Sequence, residues 1–600
     1  MSVKLTKFAL PLALFVAGSA GAQARPDYRE LPADQQIMQA LNRLTFGARP
    51  GDVQKVRAVG LDKWIDVQLH PERIDDSSLD KFISTYSVLS QDESDLLRKF
   101  NQARLQRRQV KRAAGDTGAI VTREDSAAYR KLALSRRSVV QEVQSARVAR
   151  AVASNRQLDE VMTDFWLNHF NVYAQKGPPE PFYLAEYERD VIRPNALGKF
   201  RGLLESVARS PAMLFYLDNA RSMADSMHPR LENPQRNTRR RLAATAQNLR
   251  KVKSAGLNEN YGRELLELHT LGVDGGYTQQ DVINVARALT GWTIRPPAAG
   301  GGFVFRPEMH DAGEKTVLGH KLKAGRGIED GEDVLDILSR QPATAKFIAT
   351  KLARRFVSDN PSPALIDRAA AVFLRTDGDI REVMRTIITS NEFFSQQAYR
   401  SKVKSPFEVV VSAMRAMNAV PDPTVRTAQV IAYLGEPVYG HQAPNGYPET
   451  NDAWMNTGAI LNRINFGMAA AANRIPGANV GAIPGLDTLS SAPRAKQVDA
   501  VVALLLGGSV SPDTRAVLLS GENPLMKNGT GEMQVADTDM TADEPAMDMD
   551  RARGKGAKAK GARGGAGANP LGRAGAPLPQ VTGLAQVVGL ALGSPEFQRR

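Results

Sequence analysis

The run from Asn260 to Trp292, NYGRELLELHTLGVDGGYTQQDVINVARALTGW, constrains the fold more than any other part of this chain. At about 100° per residue, Tyr261, Leu265, Leu268 and Leu271 form one apolar arc, the spacing of an amphipathic helix rather than a strand. Gly272 and Gly275-Gly276 supply a helix end and a turn, and Thr278 with Asp281 has the form of a capping box opening a second helix. Glu264 falls inside the arc, between Leu268 and Leu271, so a carboxylate points toward the packed side. Burial without a partner is costly; Glu264 therefore meets an arginine, a metal or a hydrogen-bond donor, or stays protonated with a raised pKa.

Glu267, three residues on, lies about 60° from Glu264 on the wheel, whereas His269 lies roughly 160° from Glu267, so those two cannot share one ion from a regular helix. The spacing fails both the Glu-x-x-His arrangement of bundle di-iron proteins and the His-Glu-x-x-His geometry of zinc proteases. Two readings stay open. In one, Glu264 is a general acid or base. In the other it pairs with Arg263 or Arg287, and His269 hydrogen-bonds a carbonyl near Gly272.

A second polar stripe lies in VMTDFWLNHF, Val161 to Phe170, where Asp164 and Asn168 are i,i+4 neighbours, as are Phe165 and His169. Such a helix is apolar around most of its circumference and belongs in the core. Its carboxylate, amide and imidazole suit either water or ion binding or a satisfied buried network. RPEMHDAGEK, Arg306 to Lys315, places His310 and Asp311 on a loop, where functional groups concentrate. HQAPNGYP, His441 to Pro448, sets His441 and Asn445 in a glycine- and proline-rich loop as candidate substrate contacts. No Gly-x-Ser-x-Gly elbow or Walker loop accompanies these residues.

Elsewhere the pattern predicts a mainly α protein. Helical spacing covers Asp34 to Phe46 and Val53 to Leu69, and a strongly basic helical hairpin is expected from Asp92 to Leu158, with its loop near Gly115 to Gly118. Phe303 to Phe305 and Lys315 to Leu318, separated by a polar turn, read as a small β-hairpin. Pro342 suits the first turn of a helix. Ser390-Asn391-Glu392-Phe393 is echoed by Ser594-Pro595-Glu596-Phe597, either a duplicated helix terminus or a common capping pattern. Between these copies, Glu532 to Asp550 carries seven acidic residues and no basic one, and Arg551 to Arg573 seven basic residues amid glycine and alanine. That composition predicts a disordered insertion over 521 to 580, followed by a C-terminal helix over 581 to 600 that returns to a helical domain spanning 25 to 520.

The first residues place Lys4 and Lys7 before an apolar run from Phe8 to Val16 and an Ala22-Gln23-Ala24 cleavage pattern, which predicts a signal peptide over 1 to 24 and a periplasmic or extracellular protein. No later apolar run is long enough to span a membrane. The chain has no cysteine, so thiolate catalysis, iron-sulfur ligation and cysteine-rich zinc sites are excluded, and a divalent metal would need oxygen and nitrogen ligands. The net charge of +14 is concentrated: Arg98 to Arg150 holds fourteen lysines or arginines against four acids, and Arg221 to Lys253 nine against two. Such clusters attract an anionic polymer or an acidic partner, or are simply solvated. Export and the lack of an aromatic platform make nucleic acid an unsuitable partner.

LNRLTFG (Leu41 to Gly47), DFWLNHFN (Asp164 to Asn171), RELLELHTLG (Arg263 to Gly272), ALTGW (Ala288 to Trp292) and FRPEMHDAGEKTVLG (Phe305 to Gly319) together resemble the bacterial family known as domain of unknown function 1800. The resemblance continues through Pro342 to Phe356, Lys402 to Phe407 and Tyr439 to Asn456. It implies a predominantly helical, frequently exported protein, and it brings no catalytic mechanism with it. Members are often encoded beside the sulfatase-like domain of unknown function 1501 family, which implies a partner or a common pathway. The leading expectation is metal-assisted or general acid-base hydrolysis of an extracytoplasmic polymer or ester. Glu264 would be the acid or base, His169 and His310 ligands or proton carriers, Asp164 or Asp311 their orienting groups, and Arg263 and Lys315 the neutralisers of an anionic substrate. The metal candidates are Asp164, His169, Glu264 and His310. The competing expectation is a non-catalytic binding or assembly protein working with the sulfatase-like partner.

Overall fold

The computed structural model describes residues 29–102, 104–105, 123–225, 228–231, 256–522 and 581–600, with backbone only over 123–135. The expected signal peptide, the loop of the basic hairpin, most of the Arg221 to Lys253 cluster and nearly all of the charged insertion lie outside these residues. Apolar side chains from Leu31 at one end to Phe597 at the other form one main core, with Trp166, Phe200, Trp292, Phe356 and Leu592 among its members. Among the described residues the architecture is helical, apart from two two-stranded sheets. No helix is long and apolar enough to cross a membrane among the described residues.

The Glu259–Glu267 helix starts at Asn258, whose side chain accepts from Asn260 N, and the Gln279–Ala288 helix opens with the Thr278/Asp281 capping box that its sequence predicts. The two helices cross at Gly262, where an added Cβ would sit 2.8 Å from Val282 O. Only glycine permits that approach. The Gln157–His169 helix is buried on nearly every side, and Trp166 Nε1 donates to Ala196 O at 2.9 Å. The Pro342–Phe356 helix begins on its proline, which lacks the N–H that a first-turn position would leave unused.

The strand pairing differs from the expected single hairpin. Phe303–Phe305 pairs antiparallel with the upstream strand Trp292–Ile294, and Lys315–Val317 pairs with His320–Leu322. Trp292, which reads in sequence as the end of a helical motif, is instead the first residue of a strand, with Phe303 packing edge-on against its indole at 5.2 Å. The echoed Ser-x-Glu-Phe segments share one local turn: Ser390 Oγ accepts from Phe393 N at 3.1 Å, and Ser594 Oγ from Phe597 N at 3.4 Å. Each buries its phenylalanine.

Distant segments are joined by one guanidinium. Arg355, on the Pro342–Phe356 helix, reaches Asp164 Oδ2 at 3.1 Å, Glu408 Oε1 at 2.9 Å and Glu449 Oε2 at 3.2 Å. Arg147 holds the other oxygen of Asp164, and Arg600 reaches Glu408 at 3.0 Å. Although burial works against its charge, Glu408, Glu449 and Asp164 hold the Arg355 pKa above its ordinary value. Removing one member leaves charges buried and unpaired, a loss of about 3–5 kcal/mol. Arg355→Ala should therefore lower the unfolding free energy by about that amount, read from denaturant unfolding, whereas Arg137→Ala on the exposed face of the Arg123–Ala153 helix should change it little.

Candidate functional site

His310 and Asp311, expected on a loop, and Lys315, expected and found at the start of a strand, are all buried. His310 is fully enclosed: Nδ1 donates to Thr290 O at 2.8 Å and Nε2 faces Asp330 Oδ2 at 3.4 Å. Asp311 accepts two hydrogen bonds from Arg287, at 2.7 and 3.3 Å, and one from Gly313 N. Lys315 Nζ donates to Asp330 Oδ2 at 2.7 Å, to Gly313 O at 2.9 Å and to Asp311 O. Burial opposes ionisation of Asp330, but the bonds from His310 and Lys315 hold its pKa below the ordinary carboxylate value. This closed network pins the second hairpin to the Glu329–Ser339 helix. In this conformation Lys315 cannot neutralise a substrate, and His310 and Asp311 cannot reach one.

His169 occupies a different surrounding. Lys351 Nζ donates to its Nδ1 at 3.0 Å, which leaves Nε2–H to donate to His269 O at 3.2 Å. Burial, followed by the charge of Lys351, holds the His169 pKa well below its ordinary value, so the ring is neutral. His269 does not bond a carbonyl near Gly272; both ring nitrogens are buried without a hydrogen-bond partner, and burial pushes the pKa down to about 3. Asp164, one helical turn before Asn168, faces Arg147 and Arg355 instead. The four metal candidates thus stand in separate networks. Among the described residues, no group of three or more His, Cys, Asp or Glu side chains is placed to hold a metal ion.

Glu264 alone of the leading candidates opens onto a cleft. Arg287 is committed to Asp311, and Arg263 hydrogen-bonds Gln279 at 2.8 Å, so neither arginine forms the ion pair with Glu264 that its sequence position suggests. The Glu264 carboxyl is half-buried at a cleft of about 300 Å³ lined by Tyr173, Gln175, Lys176, Tyr216, Asn260 and Gln442. Burial, reinforced by the charge of Glu267, pushes its pKa up to about 7.

The far wall of this cleft belongs to the loop over residues 437–449, which the end of the Gln157–His169 helix straps down. Asn168 pairs with both backbone groups of Tyr447, at 2.9 and 2.7 Å, and Asn171 donates to His441 O and Ala443 O. Gly446 makes this contact possible, because its φ is 72° and an added Cβ would lie 2.2 Å from Asn168 O. Tyr216 OH donates to Gln442 O at 2.7 Å, and Ala174 N to Tyr439 O at 3.0 Å. Tyr439 itself has φ 57°, strained for a non-glycine residue, and its hydroxyl is bonded to buried Glu188. His441 and Asn445 meet on the outer side of this loop, Nε2 to Oδ1 at 3.1 Å, with the His441 ring 4.6 Å from that of Tyr447.

On the other side of the strap, Arg147, Asp164, Arg355, Glu408, Glu436, Tyr439, Tyr447, Glu449 and Arg600 line a polar slot of about 40 Å³. At about 10–15 Å³ per molecule it has room for a few waters and no large substrate. Four stretches that carry the family resemblance meet here: Asp164 to Asn171, Pro342 to Phe356, Lys402 to Phe407 and Tyr439 to Asn456. Sequence periodicity gives no sign of Glu408 or Glu436, whose pKa values diverge. Against the effect of burial, Arg355 and Arg600 hold Glu408 down to about 2; burial and the Asp164 charge push Glu436 up to about 7.

The fold and its clefts define a large helical protein with a strapped central loop, two buried charge networks and one solvent-facing carboxyl poised near neutrality. The chain belongs to the family described as Protein of unknown function (DUF1800), which matches residues 39–599. No curated protein and no solved structure matches it.

The divergent pKa values have opposite consequences for stability. Glu408 titrates below its ordinary 4.5, so its contribution is present above that pH and is lost as the pH falls toward about 2. Glu436 titrates above 4.5, so its contribution is full below that value and is lost as the pH rises through about 7. Melting temperature against pH should therefore be flatter than for wild type in Glu408→Gln as the pH falls from about 4.5 toward about 2, and in Glu436→Gln between about 4.5 and about 7. Parallel curves for the three proteins would refute both assignments.

Proposed function

We propose that this protein is an exported hydrolase in which Glu264 performs general acid-base catalysis on an extracytoplasmic polymer or ester held in the cleft between Tyr173 and Gln442. The observation that carries this reading is the state of the Glu264 carboxyl, which meets an open cleft and titrates at about 7, near the pH at which proton transfer in either direction is most effective. The cleft also presents the exposed amides of Gln175, Asn260 and Gln442, while Lys176 in its lining is paired with Asp218. In a turnover, water adds to the scissile carbon and the bond to the leaving oxygen breaks. That oxygen takes the Glu264 proton, and the proton released by the water restores the carboxyl.

The test is a screen of chromogenic esters and polysaccharides with the mature protein and its Glu264→Gln variant. Wild type should turn over at least one class, with a limb of the pH-rate profile near 7, and the variant should lose about 10²–10⁴-fold in rate with its melting temperature unchanged. Turnover that survives the substitution with the same pH limb would overturn the reading.

A second reading, a non-catalytic binding or assembly protein working with a sulfatase-like partner, draws support from the burial of His169, His310, Asp311 and Lys315 in closed networks. It predicts no turnover, and an unchanged phenotype for Glu264→Gln.

A further inference from the structure

One guanidinium inside the fold lacks a carboxylate. Arg150, in the last turn of the Arg123–Ala153 helix, is partly buried, and among the described residues its side chain has neither a hydrogen bond nor an ion pair. It lines a cavity of about 20 Å³ with Glu188, Arg189 and Arg193 and the apolar side chains of Leu89, Val143 and Ala185. Glu188 and Arg189 come from Tyr187–Ile192, a segment that winds as a π-helix, a form that is rare and recurs at functional sites.

The neighbouring charges are already paired. Arg193 meets Glu160 at 2.7 Å and Glu188 at 3.0 Å and stands 4.0 Å from Asp159, and Glu188 also accepts from Tyr439 OH. Arg189 pairs with Asp190 and donates to Leu89 O. Glu160, Glu188 and the exposed Asp80 act on Arg150 only from beyond ion-pair distance, and the charge of Arg193 opposes it more strongly than any one of them favours it. Burial, followed by Arg193, holds the Arg150 pKa below its ordinary value. A charge withdrawn from water without a counter-charge is costly. The cavity is the place beside Arg150 where a counter-charge can sit, and its lining sets three guanidinium groups against one carboxylate.

Size and walls narrow the ligand. A single water needs about 10–15 Å³, so the space takes one monatomic ion and excludes sulfate, phosphate and carboxylate-bearing ligands. Apolar surface on Leu89, Val143 and Ala185 suits a weakly hydrated ion, chloride or bromide, over fluoride. Water would fill the volume but leave the charge of Arg150 unmet.

We infer that this cavity binds a single halide ion as the counter-charge of Arg150, joining the basic helix, the π-helix and the turn at Leu89. The site is separate from the Glu264 cleft and stands or falls independently of the hydrolase reading.

The test compares the mature protein in sodium chloride and in sodium gluconate of equal ionic strength, which matches general screening. The chloride NMR line should be broadened by wild type, narrowed again by added bromide but not by gluconate, and left unbroadened by R150Q. The melting temperature of wild type should rise with chloride over gluconate and level off, as mass action requires of a ligand bound only by the folded state. R150Q and R150M should melt alike in the two salts, with wild-type circular dichroism, and R150K should keep part of both effects. R150M removes the uncompensated charge, so in gluconate it should be at least as stable as wild type. The inference is overturned if wild type melts alike in both salts, if R150Q broadens the chloride line as wild type does, or if R150M keeps the dependence on chloride.

Discussion

Arg355 is the interaction on which the rest of the arrangement depends. A single guanidinium satisfies carboxylates from the Gln157–His169 helix, the Pro406–Ala416 helix and the central loop, and Arg147 and Arg600 extend the network to the basic helix and the C-terminal segment. Ion pairs of this kind add little net energy over an apolar core of equal volume, but they penalise every arrangement in which one partner is missing. Their effect here is to fix relative position. Asp164 fixes the helix that carries Asn168 and Asn171, those two amides fix the loop, and the loop fixes one wall of each cleft.

The second network works in the same manner at a different place. Asp330, Lys315, His310, Asp311 and Arg287 tie a three-residue hairpin strand to two helices, beside the core contacts of Val317 and Leu322. Residues that carry chemistry in other proteins act here as fasteners, and full burial separates that role from catalysis. His169 belongs with them, since its ring is spent on Lys351 and on a backbone carbonyl. What distinguishes Glu264 is solvent on one side and apolar packing on the other.

Local pattern made much of this legible. Tyr261 and Leu265, the Thr278/Asp281 box and the proline at position 342 act within a few residues of themselves, and each appears where its spacing places it; the helix ends at Glu267, however, so Leu268 and Leu271, which the arc would place on it, lie beyond its end. Glu264 stood out because it breaks its own periodicity, and the break is visible in one helix. The hairpin partner of Phe303 was not legible, because strand pairing is a contact between segments and Trp292 continues a helical pattern up to the residue where the strand begins. Nor could spacing show that Glu436 lines a cavity, since Arg147, Asp164 and Arg600, which line it too, are each more than a hundred positions away. His310 misled for the converse reason: a loop in sequence became an interior once Asp330 and Lys315 closed around it.

The strap over residues 437–449 has a consequence for how a ligand is received. With Asn168 clamped to both backbone groups of Tyr447, Asn171 and Tyr216 holding the carbonyls beyond, and Gly446 seated against the helix end, the loop is already in register before anything arrives. A segment ordered in advance surrenders little further conformational entropy on association, and the shape of the groove does not wait on a closing motion. Whatever meets this wall of the cleft therefore meets a surface whose shape is set by Asn168, Asn171 and Tyr216 rather than by the incoming molecule.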